Sequence, residues 1–117
     1  MWQQQDGVSS YAYANLLAGG TWGTGARISD AQGPVMDTHV KMDAAGQARA
    51  VWYQPAGTTG SSSTTVCSNT CSPGTGWGDS GIVATLTGID GYFYYPVPRI
   101  GMNSDGDSFT VWGVDSM

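Results

Sequence analysis

The chain repeats one short motif three times, each time around a tryptophan. The three windows centre on Trp2, Trp52 and Trp112. Between the last two windows the match extends backwards, because Gly46 and Gly106 each end a turn-like segment at the same distance ahead of the tryptophan. A repeated unit of this length usually cannot bury its apolar face alone and stacks on a neighbour. The repeat therefore predicts a series of similar stacked units.

Composition and alternation both favour strands. The chain contains 18 Gly but no Glu, whereas helices favour Ala, Leu, Glu and Lys. Residues 47–54 alternate so that two small side chains and Trp52 share one face, and residues 107–114 repeat this pattern with Trp112. A neighbouring sheet could approach closely over the small residues while the indole fills the space beside them. We therefore expect the recurring tryptophans to be core residues, namely Trp2, Trp22, Trp52, Trp77 and Trp112.

The order of strand and turn signals predicts an all-β fold of two four-stranded antiparallel meanders plus one extra strand. Each unit contains a short apolar strand, a turn that ends in glycine, the Trp strand, a strand rich in Ser, Thr or Tyr, and a strand that follows a Trp-Gly pair. We expect a single domain over residues 1–117. Its two tandem units, at about 1–52 and 53–112, are circularly shifted because the sequence opens inside a Trp strand.

The motifs also carry a family resemblance. The best-matching segments are Trp22-Gly23-Thr24 with Ile28-Ser29, and residues 40–54, whereas the copy that ends at Trp112 matches less well. They resemble the repeats of bacterial secreted or surface β-propellers with sialidase-like blades. The resemblance implies that each meander is a propeller blade arranged around a central axis. Because propellers usually close with roughly four to eight blades, two units imply several copies of the chain or further repeats of a longer protein.

Repeat and resemblance together predict a non-enzymatic binding or structural module that self-associates into a ring or a filament, at the cell surface or outside the cell. Lectin-like glycan binding is one alternative, and a remnant of a sialidase-like glycoside hydrolase is a second. The resemblance implies that a sialidase would need three arginines, a tyrosine nucleophile assisted by a glutamate, and an aspartate. The chain has Arg27, Arg49 and Arg99 but no Glu. We therefore expect no enzymatic activity.

One aromatic cluster departs from the repeat. Tyr92, Tyr94 and Tyr95 follow Asp90, where the other copy has a Gly-Pro-Val-Met segment. Sugars stack on exposed aromatic rings and donate hydrogen bonds to carboxylates, and specific functions tend to occur where a scaffold departs from its pattern. These four residues are therefore the candidate ligand-binding residues. The alternative is that the rings pack between units or across a contact between chains.

Three oxygen-bearing residues stand at alternate positions in the second turn. The spacing of Asn103, Asp105 and Asp107 is that of the first ligands in a calcium loop. The glycine, however, falls at the fourth position instead of the sixth, and no Glu follows. The pattern thus allows a calcium site or a hairpin turn with polar caps. No other cofactor is expected.

Cys67 and Cys71 lie four residues apart. In a chain with few charges and many Ser, Thr and Gly residues, as is typical of extracellular proteins, this spacing predicts a small loop closed by a disulfide. The alternative is two free thiols. No secretory signal is present in this sequence, so an exported protein would have lost it by cleavage.

The charge balance excludes some partners. The formal net charge is −5 and the basic residues do not cluster, so the surface should repel phosphate backbones, and nucleic acid is not expected as a partner. No apolar run is long enough to span a bilayer, so membrane insertion is not expected either. The expected partners are other copies of the chain, further repeats of a longer chain, and glycans.

Overall fold

The structure is a computed structural model, and it describes residues 1–30, 33–56, 63–87 and 97–113. Within these ranges the chain forms strands and no helix, which confirms the all-β prediction. The strands in chain order are β1 (Trp2–Asp6), β2 (Ser9–Ala14), β3 (Leu17–Ala18), β4 (Thr21–Trp22), β5 (Ala26–Arg27), β6 (Met36–Met42), β7 (Ala48–Ala56), β8 (Ser63–Ser72), β9 (Gly76–Trp77), β10 (Gly81–Leu86), β11 (Arg99–Met102) and β12 (Ser108–Val111). Among the described residues there is no helix of the length and apolar character that crossing a bilayer requires.

The strands assemble into three main antiparallel sheets. The N-terminal sheet has the order β1-β2-β5, the central sheet has the order β10-β8-β7-β6, and the C-terminal sheet consists of β11 and β12. The short strands β3 and β4 pair with each other, and β9 pairs with the end of β8. Many consecutive strands pair, as short turns between antiparallel strands favour, whereas β2 pairs with β5 and β8 with β10 across the short strands that lie between them in the chain.

The distribution of strands differs from the expected one. Among the described residues a complete four-stranded meander forms only once, as the central sheet, and the other main strands form one three-stranded and one two-stranded sheet. The reason is the circular shift. The N-terminal sheet begins with the counterpart of β7 and has no counterpart of β6, whereas the C-terminal sheet has counterparts of β6 and β7 only. Strands β1 and β12 occupy the same place in the repeat and do not pair with each other.

The turns show that the repeat extends to individual hydrogen bonds. Asp43 Oδ1 accepts hydrogen bonds from the backbone N–H groups of Ala45 and Gln47 at 2.9 and 2.8 Å. The second turn repeats this arrangement, because Asn103 Oδ1 accepts bonds from the N–H groups two and four residues ahead at 3.0 and 2.9 Å. Gly46 and Gly106 then close the two turns with φ angles of 85° and 87°, which favour glycine.

The same agreement is found in the strands. Trp2 Nε1 donates to Gln4 Oε1 at 3.1 Å, and Trp52 Nε1 donates to its counterpart Gln54 Oε1 at 3.0 Å. Asn15 Nδ2 donates to the Gly23 carbonyl at 3.0 Å. Its counterpart in the central sheet donates to the Gly78 carbonyl at 2.8 Å. Two stretches of different sequence therefore fold into one repeated structural unit.

The three sheets lie in layers, with the central sheet in the middle. The N-terminal sheet packs on the face of the central sheet that carries Trp52. On the opposite face of the central sheet, β11 packs against β6 and β7. Strand β1 contacts β6, and strand β7 contacts β11. In the repeat, β1 corresponds to β7, and β6 corresponds to β11. The two sheet-to-sheet contacts are thus of the same kind.

The expected tryptophan core forms only in part. Trp52 is fully buried, and Trp77 is partly buried against the same cluster. Trp112 is half-buried, Trp2 is 38 % exposed and Trp22 is 64 % exposed. For Trp2 and Trp22 the expectation of a core position is therefore wrong. Equivalent places in a repeat give equivalent burial only where a neighbouring sheet covers them, and no other described sheet lies over the outer side of the N-terminal sheet.

The expected disulfide is also wrong, because Cys67 and Cys71 are free thiols. Both lie on β8, which continues to Ser72. Strand residues four apart are separated by about 13 Å at roughly 3.3 Å per residue, whereas a disulfide requires Cα atoms within about 7 Å. Both side chains point to the buried face of the strand, and burial raises the pKa of each thiol.

Candidate functional site

The contact between the N-terminal and central sheets combines small residues with one large ring. Three alanines allow the two backbones to approach closely, and Trp52 fills the remaining space, as in other close-packed interiors. The buried cluster consists of Ala12, Ala14, Ile28, Val35, Ala50, Trp52 and Cys67. This contact is the hydrophobic core of the described structure, and it lies between two sheets and not within one unit.

A buried asparagine adds polar bonds to this contact. Asn69 is 3 % exposed, and its Nδ2 donates to the carbonyl of Ile28 in the N-terminal half and to that of Gly78, both at 2.8 Å. The first of these bonds crosses between sheets and fixes their register. The Oδ1 atom of Asn69 is buried without a hydrogen-bond partner, so the amide is held by its donors alone.

The contact between the central and C-terminal sheets is more polar. Arg49 Nη1 donates to Ser108 Oγ, and the backbone N–H of Ile100 donates to His39 Nδ1 at 3.1 Å. Val51 and Ile100 are buried on this side of the central sheet. Burial lowers the pKa of His39, and the positive charges of Arg99 and Lys41 lower it further. The imidazole is thereby kept in the neutral form that can accept the bond from Ile100.

At one end of the layered structure, the outer side of the N-terminal sheet is uncovered by any described sheet. We call it the Trp2 face, and it consists of Trp2, Gln4, Tyr11, Tyr13 and Arg27. The rings of Trp2 and Tyr13 are stacked, with centroids 5.8 Å apart and planes 20° apart. The Arg27 guanidinium lies 4.7 Å from the centroid of the Tyr11 ring, within the range of a cation–π contact. The indole of Trp2 also covers Gly25, where an added Cβ would come within 2.9 Å of the ring.

At the other end, the outer side of the C-terminal sheet is uncovered in the same way. We call it the Phe109 face, and it consists of Arg99, Gly101, Phe109 and Val111. Phe109 is 66 % exposed and Val111 is 53 % exposed. The Phe109 ring lies over Gly101, where an added Cβ would collide with it. Both end faces therefore present an aromatic ring close to a glycine.

A small groove opens beside the contact between the N-terminal and central sheets. It has a volume of about 240 Å³, below the roughly 300–1,000 Å³ of typical small-molecule sites. Its lining is mostly apolar and consists of Met1, Ala14, Asn15, Leu16, Val40, Lys41, Met42, Ala48, Cys71 and Trp77. It could admit a small apolar group, but no convergent set of polar atoms marks it as a site for a particular ligand.

The residues of the calcium hypothesis are engaged in closing a turn. Asn103 uses its Oδ1 to accept two backbone bonds, and its Nδ2 donates to Asp107 Oδ2 at 3.2 Å. The Ser104 hydroxyl interacts with Asp105 Oδ1 at 3.5 Å. Among the described residues, no group of three or more His, Cys, Asp or Glu side chains is placed to hold a metal ion. The turn geometry favours the capping role, and calcium binding stays an untested prediction.

The other candidate residues are dispersed or lie outside the described structure. Asp90, Tyr92, Tyr94 and Tyr95 fall outside the described residues. The arginines of the sialidase alternative occupy different layers. Arg27 lies on the outer side of the N-terminal sheet, Arg49 between the central and C-terminal sheets, and Arg99 on the Phe109 face.

The uncovered faces were not identified from the sequence. Alternation puts Phe109 and Val111 on one side of their strand, but it does not indicate whether a sheet covers that side. A usable signal existed, since the first and last units of a repeat array each have one face without a neighbour. Which side of each terminal unit lacks a neighbour depends on the direction in which the sheets stack, and the motifs do not encode that direction.

The comparisons with known proteins do not add an identity. No family model, no curated protein and no solved structure matches the chain.

Proposed function

We propose that the chain is a non-enzymatic stacking module that self-associates by adding further sheets to its layered structure. The observation that carries this proposal is that the central sheet is covered on both of its faces. One of its faces is buried by the N-terminal sheet and the other by the C-terminal sheet, through corresponding strands. A unit that is covered on both sides in the middle, and on one side only at each end, can accept more units of the same kind.

The proposal includes a propeller-type arrangement of the sheets. Its support is the central sheet, a four-stranded antiparallel meander of blade size, and the face-to-face packing of successive sheets, as blades pack in a propeller. A closed ring needs more sheets than one chain supplies, so several copies would complete it. If the contacts between copies do not close, the same contacts give a filament.

The first experiment is a measurement of mass in solution. Light scattering behind size exclusion, over a series of concentrations, should show species that are multiples of 12.2 kDa. A discrete plateau indicates a ring, and continued growth with concentration indicates a filament. A mass that stays monomeric at every concentration would refute self-association.

A second candidate, lectin-like glycan binding, is favoured by one observation. The stacked pair of Trp2 and Tyr13 is accessible, with Gln4 and Arg27 beside it, and such a surface can stack on a sugar ring while polar groups bond its hydroxyls. A glycan array tests it, with a Trp2→Ala variant as the control. Hits that persist unchanged in the variant would point to another site on the chain.

The location of the protein is part of the proposal. Placement outside the cell, or at its surface, rests on the low content of charged residues, 11 %, and on the many Ser, Thr and Gly residues. The two cysteines lend this no support, because they are free.

A further inference from the structure

We propose that self-association is head to tail, with the Phe109 face of one copy packed on the Trp2 face of a second copy. This inference rests on the proposed function and specifies its contact. It names the two surfaces, their order and the residues that meet.

The position of the Trp2 face in the repeat shows what should cover it. Trp2 corresponds to Trp52, and the two share the same hydrogen bond to a glutamine two residues later. In the central sheet, the Trp52 face is buried under the inner side of the N-terminal sheet, the side of Ala12 and Ala14. That inner side is the side opposite the tryptophan. We therefore expect a sheet of another copy to cover the Trp2 face. That sheet should pack through the side that does not carry its tryptophan.

The Phe109 face is a surface of that kind. Thr110 and Trp112 point to the side of β12 that faces the central sheet, whereas Phe109 and Val111 point away from it. Val111 corresponds to Val51, which is fully buried where the C-terminal sheet covers the central sheet. The exposed side of the C-terminal sheet is thus the counterpart of a side that is covered elsewhere in the same molecule. Repeating the internal stacking between two copies places this side on the Trp2 face.

The chemistry of the two faces suits such a contact. Phe109 stands at the position that Arg49 occupies in the central sheet, so an exposed ring replaces a charge on the uncovered side. On the partner face, Tyr13 stands in the place of Cys67 and stacks on Trp2. Aromatic side chains of this kind dominate the energy of protein–protein contacts. At each face the ring lies close to a glycine, so no side chain stands between the ring and the backbone there.

The symmetry of the internal contacts indicates that the contact between copies joins two unlike faces. A contact between unlike surfaces is heterologous and continues from copy to copy, whereas a contact of a surface with itself ends at a dimer. The two contacts within the chain both join unlike sides of successive sheets. A copy–copy contact of the same kind leaves one Trp2 face and one Phe109 face free at the two ends of any open assembly.

A complementation experiment tests this order. Phe109→Asp disables one end of each molecule and Tyr13→Asp the other, since each change removes the aromatic ring of its face and puts there a carboxylate that must lose its hydration on association. Each variant alone should be monomeric, near 12.2 kDa. An equimolar mixture should give a species of about twice that mass and no larger, because only the intact Trp2 face of one variant and the intact Phe109 face of the other can meet. Val8→Asp, in the turn between β1 and β2, is the matched control, because Val8 is 101 % exposed and lies on neither face. It should assemble like the wild type.

Each other outcome overturns the proposal in a distinguishable way. If both single variants assemble like the wild type, the copies associate through other surfaces, and self-association stands without this contact. If only the Phe109→Asp variant assembles, the contact joins two Trp2 faces. If the Phe109→Asp variant alone stays monomeric while Tyr13→Asp forms a dimer, the contact joins two Phe109 faces. A wild-type chain that is monomeric throughout removes the proposed function as well. A monomeric wild type whose tryptophan fluorescence responds to a sugar, with the response lost in Trp2→Ser, assigns the Trp2 face to glycans. Circular dichroism checks the fold of each variant, and Trp2→Ser replaces Tyr13→Asp if the latter does not fold.

Discussion

Two asparagines at equivalent positions show how the surroundings change the energetic role of one residue. Asn15 and Asn69 each donate a hydrogen bond to the carbonyl of a glycine that follows a tryptophan. Only Asn69 donates a second bond, to Ile28, and only Asn69 is buried. The same side chain thus closes a local hairpin at both places but joins two sheets at one of them.

This difference predicts unequal effects of the same substitution. Asn69→Ala removes two bonds and leaves the buried carbonyl of Ile28 without its donor, so we expect a loss of about 2 kcal/mol in the free energy of unfolding. Asn15→Ala also removes two bonds, one to the Gly23 carbonyl and one from the Leu16 N–H, but water can reach both groups, so it should cost only about 0.5–1 kcal/mol. Urea denaturation of the two variants measures both values. Equal losses would show that the bond to Ile28 does not stabilise the contact between sheets.

We expect the stability of the contact between the central and C-terminal sheets to depend on pH through the protonation of His39. Its pKa lies below the ordinary value of 6.5, first because of burial and then because of Arg99 and Lys41. A base with a lowered folded-state pKa takes up a proton more readily in the unfolded chain, so stability is highest above pH 6.5 and falls as pH drops through the lowered pKa. Protonation of Nδ1 would also remove the acceptor for the Ile100 N–H.

We therefore expect the urea midpoint of the wild type to fall between pH 7.5 and pH 5.5, a range in which ordinary carboxylates stay mostly ionised. His39→Asn offers an amide oxygen as acceptor and has no titrating group, so its midpoint should change less over the same range. A variant that falls as steeply as the wild type would place the pH dependence elsewhere.

At the scale of elements, the two repeated turns are alike inside and different in their surroundings. Gly46 and Gly106 share a left-handed backbone. A Cβ on Gly46 would make an ordinary contact with Pro73, at 3.6 Å. On Gly106 it would lie 2.6 Å from Gln47 Oε1 and 3.1 Å from Asp43 Oδ2. The second turn therefore packs on the first, as the stacking of the sheets requires.

Alanine at the two glycines tests this packing. The left-handed backbone costs a residue with a Cβ roughly 1–2 kcal/mol, and we expect that loss for Gly46→Ala. Gly106→Ala should lower the free energy of unfolding by up to about 1 kcal/mol more than Gly46→Ala does, because the side chains of the first turn must also move. Thermal or urea unfolding gives the comparison. If the two variants lose the same amount, the turns do not constrain each other in solution.

The sequence predicted the elements better than their contacts. Alternation placed Ala48, Ala50 and Trp52 on one face, and the glycine turns fell where expected, because both patterns are local. The prediction of a disulfide was wrong because it placed a loop between Cys67 and Cys71, whereas the buried residues Cys67, Asn69 and Cys71 alternate as a strand does. The burial of Trp2 and Trp22 could not be read from their motifs, because it depends on a neighbouring sheet and not on the residues beside them.

At the scale of the whole molecule, stability is expected to fall from the middle of the layered structure towards its ends. The central strands β7 and β8 are largely buried, whereas every residue of β1 is exposed and β12 alternates between half-buried and exposed. Regions with few buried contacts open locally at low free energy. An added sheet at either end would therefore stabilise mainly the end sheets, which is where self-association should be detectable.

Hydrogen exchange at several protein concentrations measures this distribution. At low concentration, the amides of β1 and β12 should exchange fastest among the paired strands, and those of β7 and β8 slowest. At a total concentration one hundred times the Kd of self-association, about one end face in ten stays free, so local opening of both end sheets should slow by about 10-fold, while β10, at the edge of the central sheet, should not change. In the Phe109→Asp variant the concentration dependence should disappear. Slowing confined to one end sheet in the wild type would contradict the head-to-tail contact, because that contact covers a Trp2 face and a Phe109 face together.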